Sequence, residues 1–318
     1  MGRFVVRRLF GTVFVLFAVS LLTFLIFNVV PNSDPAARMA GKNATPELIA
    51  SINEEWGFND SLPTQYVTMM KKIFTGDLIS YEGREPVDER IVEGIPATIS
   101  LCIGAAAIWM FFGILFGYLS AVRAGGWLDR TLTIVAVAGI SMPVFWLAAI
   151  LLNYLAYETG IFPSQGYTKL TENPLDWAYH LILPWVTLAI LYLGFYSRVL
   201  RSSMLDVMNE DYVRTARAKG LSERRVMRKH VTRNSLIPIV TLFGLDFGAL
   251  LGGAILIEKI FSLNGVGQYA EEALANFDLP PIMAITLYGA FFVVLFNSLV
   301  DIAYAYLDPR IRLGESAQ

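Results

Sequence analysis

Charge is scarce in this 318-residue chain: Asp, Glu, Lys and Arg make up 16% of it and hydrophobic residues 55%, whereas soluble domains carry about a quarter charged residues. A single cysteine, Cys102, excludes an internal disulfide, and its place inside an apolar run argues against redox or thiolate-metal chemistry. The two histidines, His180 and His230, are not spaced as a metal site, and neither HExxH nor GxSxG occurs. No G-x-x-x-x-G-K-[ST] is present, so the chain has no cradle for nucleotide phosphates. These absences point away from an enzyme: no catalytic residue, no metal site and no cofactor of its own are expected. No repeat, heptad array or low-complexity tract is visible either.

What the chain has in abundance is long apolar runs. Six of them, near 9–30, 99–122, 132–156, 181–200, 236–257 and 282–306, are long enough to cross about 30 Å of hydrocarbon at roughly 20 residues each. The first exceeds the core of a signal peptide and lacks a clean cleavage site after Val30, so it reads as a retained span. Cations near span ends are retained in the cytoplasm. With both termini inside, Arg3, Arg7, Arg8, Arg123, Arg130, Arg198, Arg310 and Arg312 join a dense inner group, while the outer segments hold most of the acidic residues. The net charge of −2 thus conceals a bipolar molecule.

Residues 31–96 form an acidic outer segment with good helix signals. Thr45 is placed as an N-cap before Pro46 and Glu47, Leu48, Ile49, Ile52 and Trp56 share a face, and Gly57 stops the pattern. Pro63 opens a second helix with Tyr66, Met70, Ile73 and Phe74 on one stripe and Gly76 as its end. The apolar faces of this small cap must rest on the outer mouth of the bundle or on a docking protein.

Residues 201–235 are the basic inner segment, carrying Arg201, Arg214, Arg217, Lys219, Arg224, Arg225, Arg228, Lys229 and Arg233. Met204, Met208, Tyr212 and Ala216 recur every four residues, as on one face of a helix. Gly220 is placed as a left-handed C-cap, and Ser222 as the N-cap of a second helix running to about Asn234. Three or four cations suffice to set topology and attract anionic lipid, at about 1 kcal/mol each. Topology does not require the acidic-aromatic opening Glu210, Asp211, Tyr212, followed by Arg214, Thr215, Ala216, Arg217, Lys219 and Gly220; on pattern alone a partner-binding helix pair and a lipid-attracting topology signal both remain open.

Within the spans, Asp246 should face protein or water, since a carboxylate at the centre of a span costs about 2.5 to 3.5 kcal/mol. Gly244, Gly248 and Gly252 form a small-residue seam, and the helical angle puts Asp246 almost opposite it. Asn297 and Asp301 share a face of the last run, with Tyr304 and Asp308 beyond, and Arg198 is placed to pair with Asp301. These polar groups suit either interhelical contacts or a translocation path. Pro184 and Pro238 sit near span beginnings, whereas Pro143 lies inside its run and predicts a kink.

The stretch Asp211-Tyr212-Val213-Arg214-Thr215-Ala216-Arg217-Ala218-Lys219-Gly220-Leu221 resembles the EAA loop of B-type permease subunits of the dipeptide/oligopeptide (peptide/nickel) ABC importer family. Arg214, Thr215 and Ala216 stand where the generic motif has Glu-Ala-Ala, and Gly220 is the motif glycine. The generic Ile-x-Leu-Pro is replaced by His230-Val231-Thr232-Arg233, with Ile237-Pro238 following later, a longer spacing that the peptide-importer branch shares. The resemblance covers nearly the whole chain. It includes Arg7-Arg8-Leu9, Pro31, Asp34-Pro35, Leu62-Pro63 with Gln65-Tyr66, Gly76-Asp77-Leu78, Pro96-Ala97-Thr98, Ser141-Met142-Pro143 with Phe145-Trp146, Leu183-Pro184, Phe261-Ser262 with Gly265-Val266-Gly267, and Leu307-Asp308-Pro309-Arg310-Ile311-Arg312. Asn32-Ser33 sit where the family usually has one glycine.

The resemblance implies an all-α integral membrane fold, a six-span type I ABC importer permease bundle with an extracytoplasmic helical insertion after the first span. The segments would be 1–30, the outer domain 31–96, the permease core 97–307 with the coupling loop 201–235, and a cytoplasmic tail 308–318. The implied function is ATP-driven import of peptides or a related solute, with residues 206–233 coupled to ATPase subunits that bind the ATP and Mg. The implied partners are a C-type permease subunit, two ABC ATPase subunits and an extracytoplasmic solute-binding protein, in the cell membrane with its lipid and without nucleic acid. An ion-gradient-driven secondary transporter using the intramembrane carboxylates is the rival, although the two three-span halves show no obvious match.

Overall fold

The computed structural model of the chain describes residues 2–29, 34–40 and 44–307, and side chains for 10–27, 34–37, 39–40 and 44–299. The described residues are almost wholly helical; the one β feature among them is an isolated antiparallel bridge between Ile79 and Pro86. In chain order the helices are α1 (Gly2–Phe24, continued by a π turn over Leu25–Val29), α2 (Pro35–Met39), α3 (Pro46–Trp56), α4 (Leu62–Thr75), α5 (Val87–Val122), α6 (Trp127–Ser141), and α7 (Val144–Leu151, continued by a π turn over Leu152–Glu158). Then come α8 (Pro174–Met208), α9 (Asp211–Ala218), α10 (Glu223–Arg225), a π turn over Val226–Thr232, α11 (Arg233–Ser235), α12 (Ile237–Leu251), α13 (Ile255–Ile260), α14 (Val266–Asn276) and α15 (Leu279–Leu307).

Five of these helical stretches are long and apolar enough to span a membrane, and a sixth is obtained if α6 and α7 are taken as one broken span. The break falls at Met142-Pro143 and bends the pair by 100°. Proline disfavours the helical conformation of the residue before it, and Met142 is accordingly extended, at φ −81° and ψ 126°. The kink expected at Pro143 is therefore a full break.

Several helix boundaries differ from those of the apolar runs, three of them with a clear local cause. Helix α8 begins at Pro174, well before residue 181, because the Asn173 side chain accepts from the backbone N–H groups of Leu175 and Asp176. Pro184 consequently lies inside a helix instead of opening one. Helix α5 likewise starts at Val87, with Asp88 and Glu89 in its first turn where the helix dipole favours acids, and continues through Pro96. The fifth run ends at Leu251 instead of 257, since Gly253 adopts φ +125° and turns the chain into α13.

The chain forms two compact units. The first comprises Met1–Ile99 and Gly248–Gln318. Here the cap helices follow the expected pattern: Thr45 Oγ1 accepts from Leu48 N at 3.2 Å, Gly57 closes α3 at φ +64°, and Gly76 closes α4 at φ +75°. Ile52, Trp56 and Met69 are buried with Phe24, Val87, Val266, Tyr269 and Met283, so the cap rests on the helices of its own unit. Burying each large apolar side chain contributes about 1.5–3 kcal/mol. Asp278 ties the 78–87 turn to the start of α15, accepting from Ser80 Oγ at 2.5 Å and from the N–H groups of Tyr81 and Glu82. Gly248 and Gly252 lie against α15 beside Val293 and Gly289, as the small-residue seam implies.

The two caps differ in a testable way. Ser61, unlike Thr45, accepts from no backbone N–H of its helix and pairs only with the exposed Thr64 hydroxyl. Thr45→Ala should therefore cost about 1 kcal/mol and Ser61→Ala close to nothing, read as the difference between two denaturant unfolding curves; equal losses would refute the assignment.

The second unit is Ser100–Phe247. Its spine is the close packing of α6 on α8, where a Cβ on Gly194 would stand 2.4 Å from the carbonyl oxygen of Ala136. Nearby, Asp129 is buried and receives Arg201 in a two-pronged pair, Nε to Oδ1 at 2.7 Å and Nη2 to Oδ2 at 2.8 Å. Ser120 Oγ and the Gly125 N–H donate to the same carboxylate. Arg201, counted above with the inner cations, is thus a structural cation inside the helix pair.

Candidate functional site

The basic segment 201–235 folds into a compact knuckle, though not by the route its spacing suggested. The four-residue recurrence from Met204 to Ala216 predicts one continuous helix, yet α8 stops at Met208, with Asn209 as its cap, and α9 starts afresh after Glu210. Glu210 is extended, at φ −67° and ψ 144°, as an N-cap residue must be. The apolar face of α9 is Val213 and Ala216, both buried, whereas Tyr212 is 42% exposed. Gly220 then turns the chain at φ +79°, with Leu221 N bonding back to Ala216 O. The second helix, expected to end near Asn234, runs on with little interruption into α12, so the knuckle is built directly onto a span.

Two side-chain ties fix the angle between the knuckle's halves. Arg217 forks onto Glu223 at 3.1 and 2.8 Å, and this hydrogen-bonded carboxylate raises the guanidinium pKa further above its ordinary value. Asn234 Nδ2 donates to Tyr212 Oη at 2.7 Å. Beneath them Val226, Met227 and Val231 are buried with Val213, Ala216 and Met204. Thr215 Oγ1 returns to Asp211 O at 2.9 Å, and Arg214 reaches Asp211 at 3.5 Å. Of the residues singled out from sequence, Glu210, Asp211, Tyr212, Arg214, Thr215, Arg217, Lys219 and Gly220 face outward together, and Ala216 alone is turned in. Arg224, Arg225, Arg228, Lys229 and Arg233 are exposed beside them. The outcome is a cross-tied element on which exposed cations outnumber the exposed acids Glu210, Asp211 and Glu223.

The intramembrane groups divide between the two units. In the second, Asp246 Oδ2 accepts from Tyr196 Oη at 2.7 Å, and Tyr196 is buried with Trp109, which stacks on Tyr192 at a centroid distance of 4.8 Å. Sequence reasoning missed this aromatic cluster, whose members come from three separate helices. In the first unit, Asn297 buries its Oδ1 without a hydrogen-bond partner among the described residues. The side chain of Asp301 lies outside the described residues, as do Tyr304, Asp308 and the proposed pairing with Arg198.

Glu258 was also missed. It is fully buried on α13, accepting from Thr98 Oγ1 at 2.9 Å and Gln268 N at 3.0 Å at the start of α14. Burial pushes its carboxyl pKa up, and the N–H groups at that helix start oppose the shift. Its signal in the sequence is an acid just ahead of the Phe261-Ser262…Gly265-Val266-Gly267 pattern, where the chain folds back tightly enough to enclose it. Among the described residues no cluster of three His, Cys, Asp or Glu is placed to hold a metal ion.

Two family descriptions match this chain: "Binding-protein-dependent transport system inner membrane component" over residues 113–313, and the N-terminal component of the same transport systems over residues 1–102. The chain belongs to this family. Its members are membrane components, in keeping with the apolar spans found here. The chain is 39% identical to a "Probable peptide ABC transporter permease protein" of Sinorhizobium fredii, over 98% of this chain and 100% of the relative. It is 37% identical to the dipeptide transport system permease protein of Alkalihalophilus pseudofirmus, covering 97% of this chain and 99% of that one. It is also 37% identical to the glutathione transport system permease protein of Escherichia coli, covering 98% and 99%. Among solved structures it resembles one described as inward-facing conformations of the MetNI methionine ABC transporter, with a TM-score of 0.58 and 18% identity over 70% of this chain and 99% of that chain. That likeness concerns the fold. The inner-membrane family assigns the chain a permease role and leaves the secondary-transporter alternative without support.

Proposed function

We propose that this permease is the B-type half of a heterodimeric peptide importer, and that the knuckle at residues 206–233 is where its ATPase subunits act. In this reading a C-type permease completes the path, two ABC ATPases bind ATP and Mg beneath it, and an extracytoplasmic binding protein delivers the solute above the 31–96 cap. Both termini are then cytoplasmic. The observation that carries the proposal is the knuckle itself: two short helices cross-tied by Arg217–Glu223 and Asn234–Tyr212, continuous with a span and presenting more exposed cations than acids. A lipid-facing topology signal needs the charge but not the cross-ties. A docking element needs both, because force reaches a span only through a part that does not bend. ATP-bound and ATP-free partners that hold the knuckle differently would bias the span they adjoin. Peptide as the solute is supported by the names of the relatives.

The test is sided cross-linking. Arg224→Cys adds an exposed thiol to a chain whose native Cys102 is buried. In inside-out vesicles the new thiol should react with impermeant maleimides and should cross-link to an ATPase subunit in a nucleotide-dependent yield. Labelling from the outside, or cross-linking to lipid alone in every nucleotide state, would overturn the proposal.

A further inference from the structure

Asp246 is only half-buried on α12, and among the described residues no Lys or Arg stands within ion-pair distance of it. Among the described residues its one hydrogen bond is from Tyr196 Oη. A carboxylate has room for about four acceptor interactions, and at this depth an anion left open is costly. The surroundings are aromatic. Tyr196 is buried, with the Trp109 ring at 6.2 Å; Trp109 stacks on Tyr192 and lies 6.3 Å from Phe243, one turn before Asp246 on the same helix. Tyr192 and Phe243 keep part of their surface open.

An anion, a phenol oxygen that can accept as well as donate, and electron-rich ring faces together suit an ammonium group. The carboxylate supplies charge-assisted hydrogen bonds, and the rings supply cation–π attraction without the hydration that a small metal ion demands. A carboxylate terminus would be repelled. The solutes named for the relatives, a dipeptide and glutathione among them, share a free α-ammonium group. We infer that Asp246, Tyr192 and Phe243 form a subsite on the translocation path for the α-ammonium group of a passing peptide. Tyr196 and Trp109, both wholly buried, are positioning residues: Tyr196 holds the Asp246 carboxylate and Trp109 backs Tyr192 and Tyr196. This inference rests on the peptide-importer reading above.

The experiment uses the complete importer in proteoliposomes, with its ATPases and binding protein, and compares uptake of tri-alanine with that of N-acetyl tri-alanine, each at a concentration saturating the binding protein. Wild type should carry the free-amine peptide at least about tenfold faster. Asp246→Asn should bring the ratio of the two rates close to one, and Tyr196→Phe, which retains the charge, should lower it about threefold. Equal rates in wild type, or an Asp246→Asn variant that slows both peptides while preserving their ratio, would overturn the subsite and leave the importer standing. Should Asp246→Asn not assemble with the ATPases, Tyr196→Phe decides alone, and an unchanged ratio overturns the subsite. Absence of all ATP-dependent uptake in wild type would sink the importer reading instead.

Discussion

Replacing Gly220 by valine should reduce ATP-driven uptake at least about tenfold while the assembled complex continues to hydrolyse ATP. Gly220 holds φ +79°, and nothing lies within 4 Å of the position a Cβ would take. Space is therefore not the obstacle. The cost is conformational: the left-handed region disfavours an L-residue by about 1–2 kcal/mol, and a β-branched side chain is the least tolerant of it. That energy is enough to move the turn to another conformation, yet too little to unfold two spans. Relaxing the turn would break the Leu221 N to Ala216 O bond and swing Arg217 away from Glu223, so the knuckle's halves would lose their fixed angle. Gly220→Asn is the control, because asparagine visits the left-handed region more readily; it should keep most of the uptake. Uptake and hydrolysis are measured on the same proteoliposomes. Wild-type uptake by Gly220→Val would show that the angle between the two helices carries no coupling, and equal loss in Val and Asn would point to a backbone requirement unrelated to φ.

The parts of this fold that were legible in the sequence are those set by neighbours in the chain. Thr45 with Pro46 and Gly57, Gly76, the left-handed Gly220, the interruption at Pro143, sharper than the expected kink, and Gly248 and Gly252 of the expected Gly244–Gly248–Gly252 seam each depend on a residue's own backbone preference or bulk, and each stands in the structure where it was expected. The Met204–Ala216 recurrence misled because an interval of four residues survives a short bend. Only the capping pair Asn209-Glu210 marked the restart, and an apolar-periodicity count passes over polar residues. Span ends were misplaced for a related reason. Helices α5 and α8 run on beyond their apolar runs, α5 with Asp88 and Glu89 in its first turn and α8 under the Asn173 cap, so hydrophobicity outlines the hydrocarbon layer and not the helix. In the site, the charged side of α9 and the inward Ala216 were legible from their spacing, whereas Tyr212, assigned to the same apolar stripe, is exposed and Val213 is buried in its place. The Asp246–Tyr196–Trp109 cluster and the Glu258 pocket were not, because their members meet only after helices far apart in the chain have packed.

Asp129 illustrates that limit with a large expected effect. Seventy-two residues separate it from Arg201 in the chain, and both prongs of the guanidinium meet its carboxylate, with Ser120 and the Gly125 N–H completing the shell. Asp129→Ala removes every one of those acceptors at once. It leaves a guanidinium, 31% exposed, against the α6–α8 seam with no counter-charge, and the turn at Gly125 without its anchor. Breaking a buried pair from one side costs about 3–5 kcal/mol, and the partial exposure of Arg201 places this loss near the lower end, at about 3 kcal/mol. Arg201→Ala should be as damaging, since it strands a carboxylate that is 4% exposed. The double replacement Asp129→Leu with Arg201→Met, which removes both charges and restores apolar volume, should recover much of either loss, because the desolvation of two ions disappears along with their attraction. Thermal unfolding of the purified complex and membrane yield both read the effect. Strict additivity of the two single losses in the Asp129→Ala, Arg201→Ala double variant would mean that the two groups do not act as a pair, and the seam between α6 and α8 would then be held by apolar contact and by the close approach at Gly194.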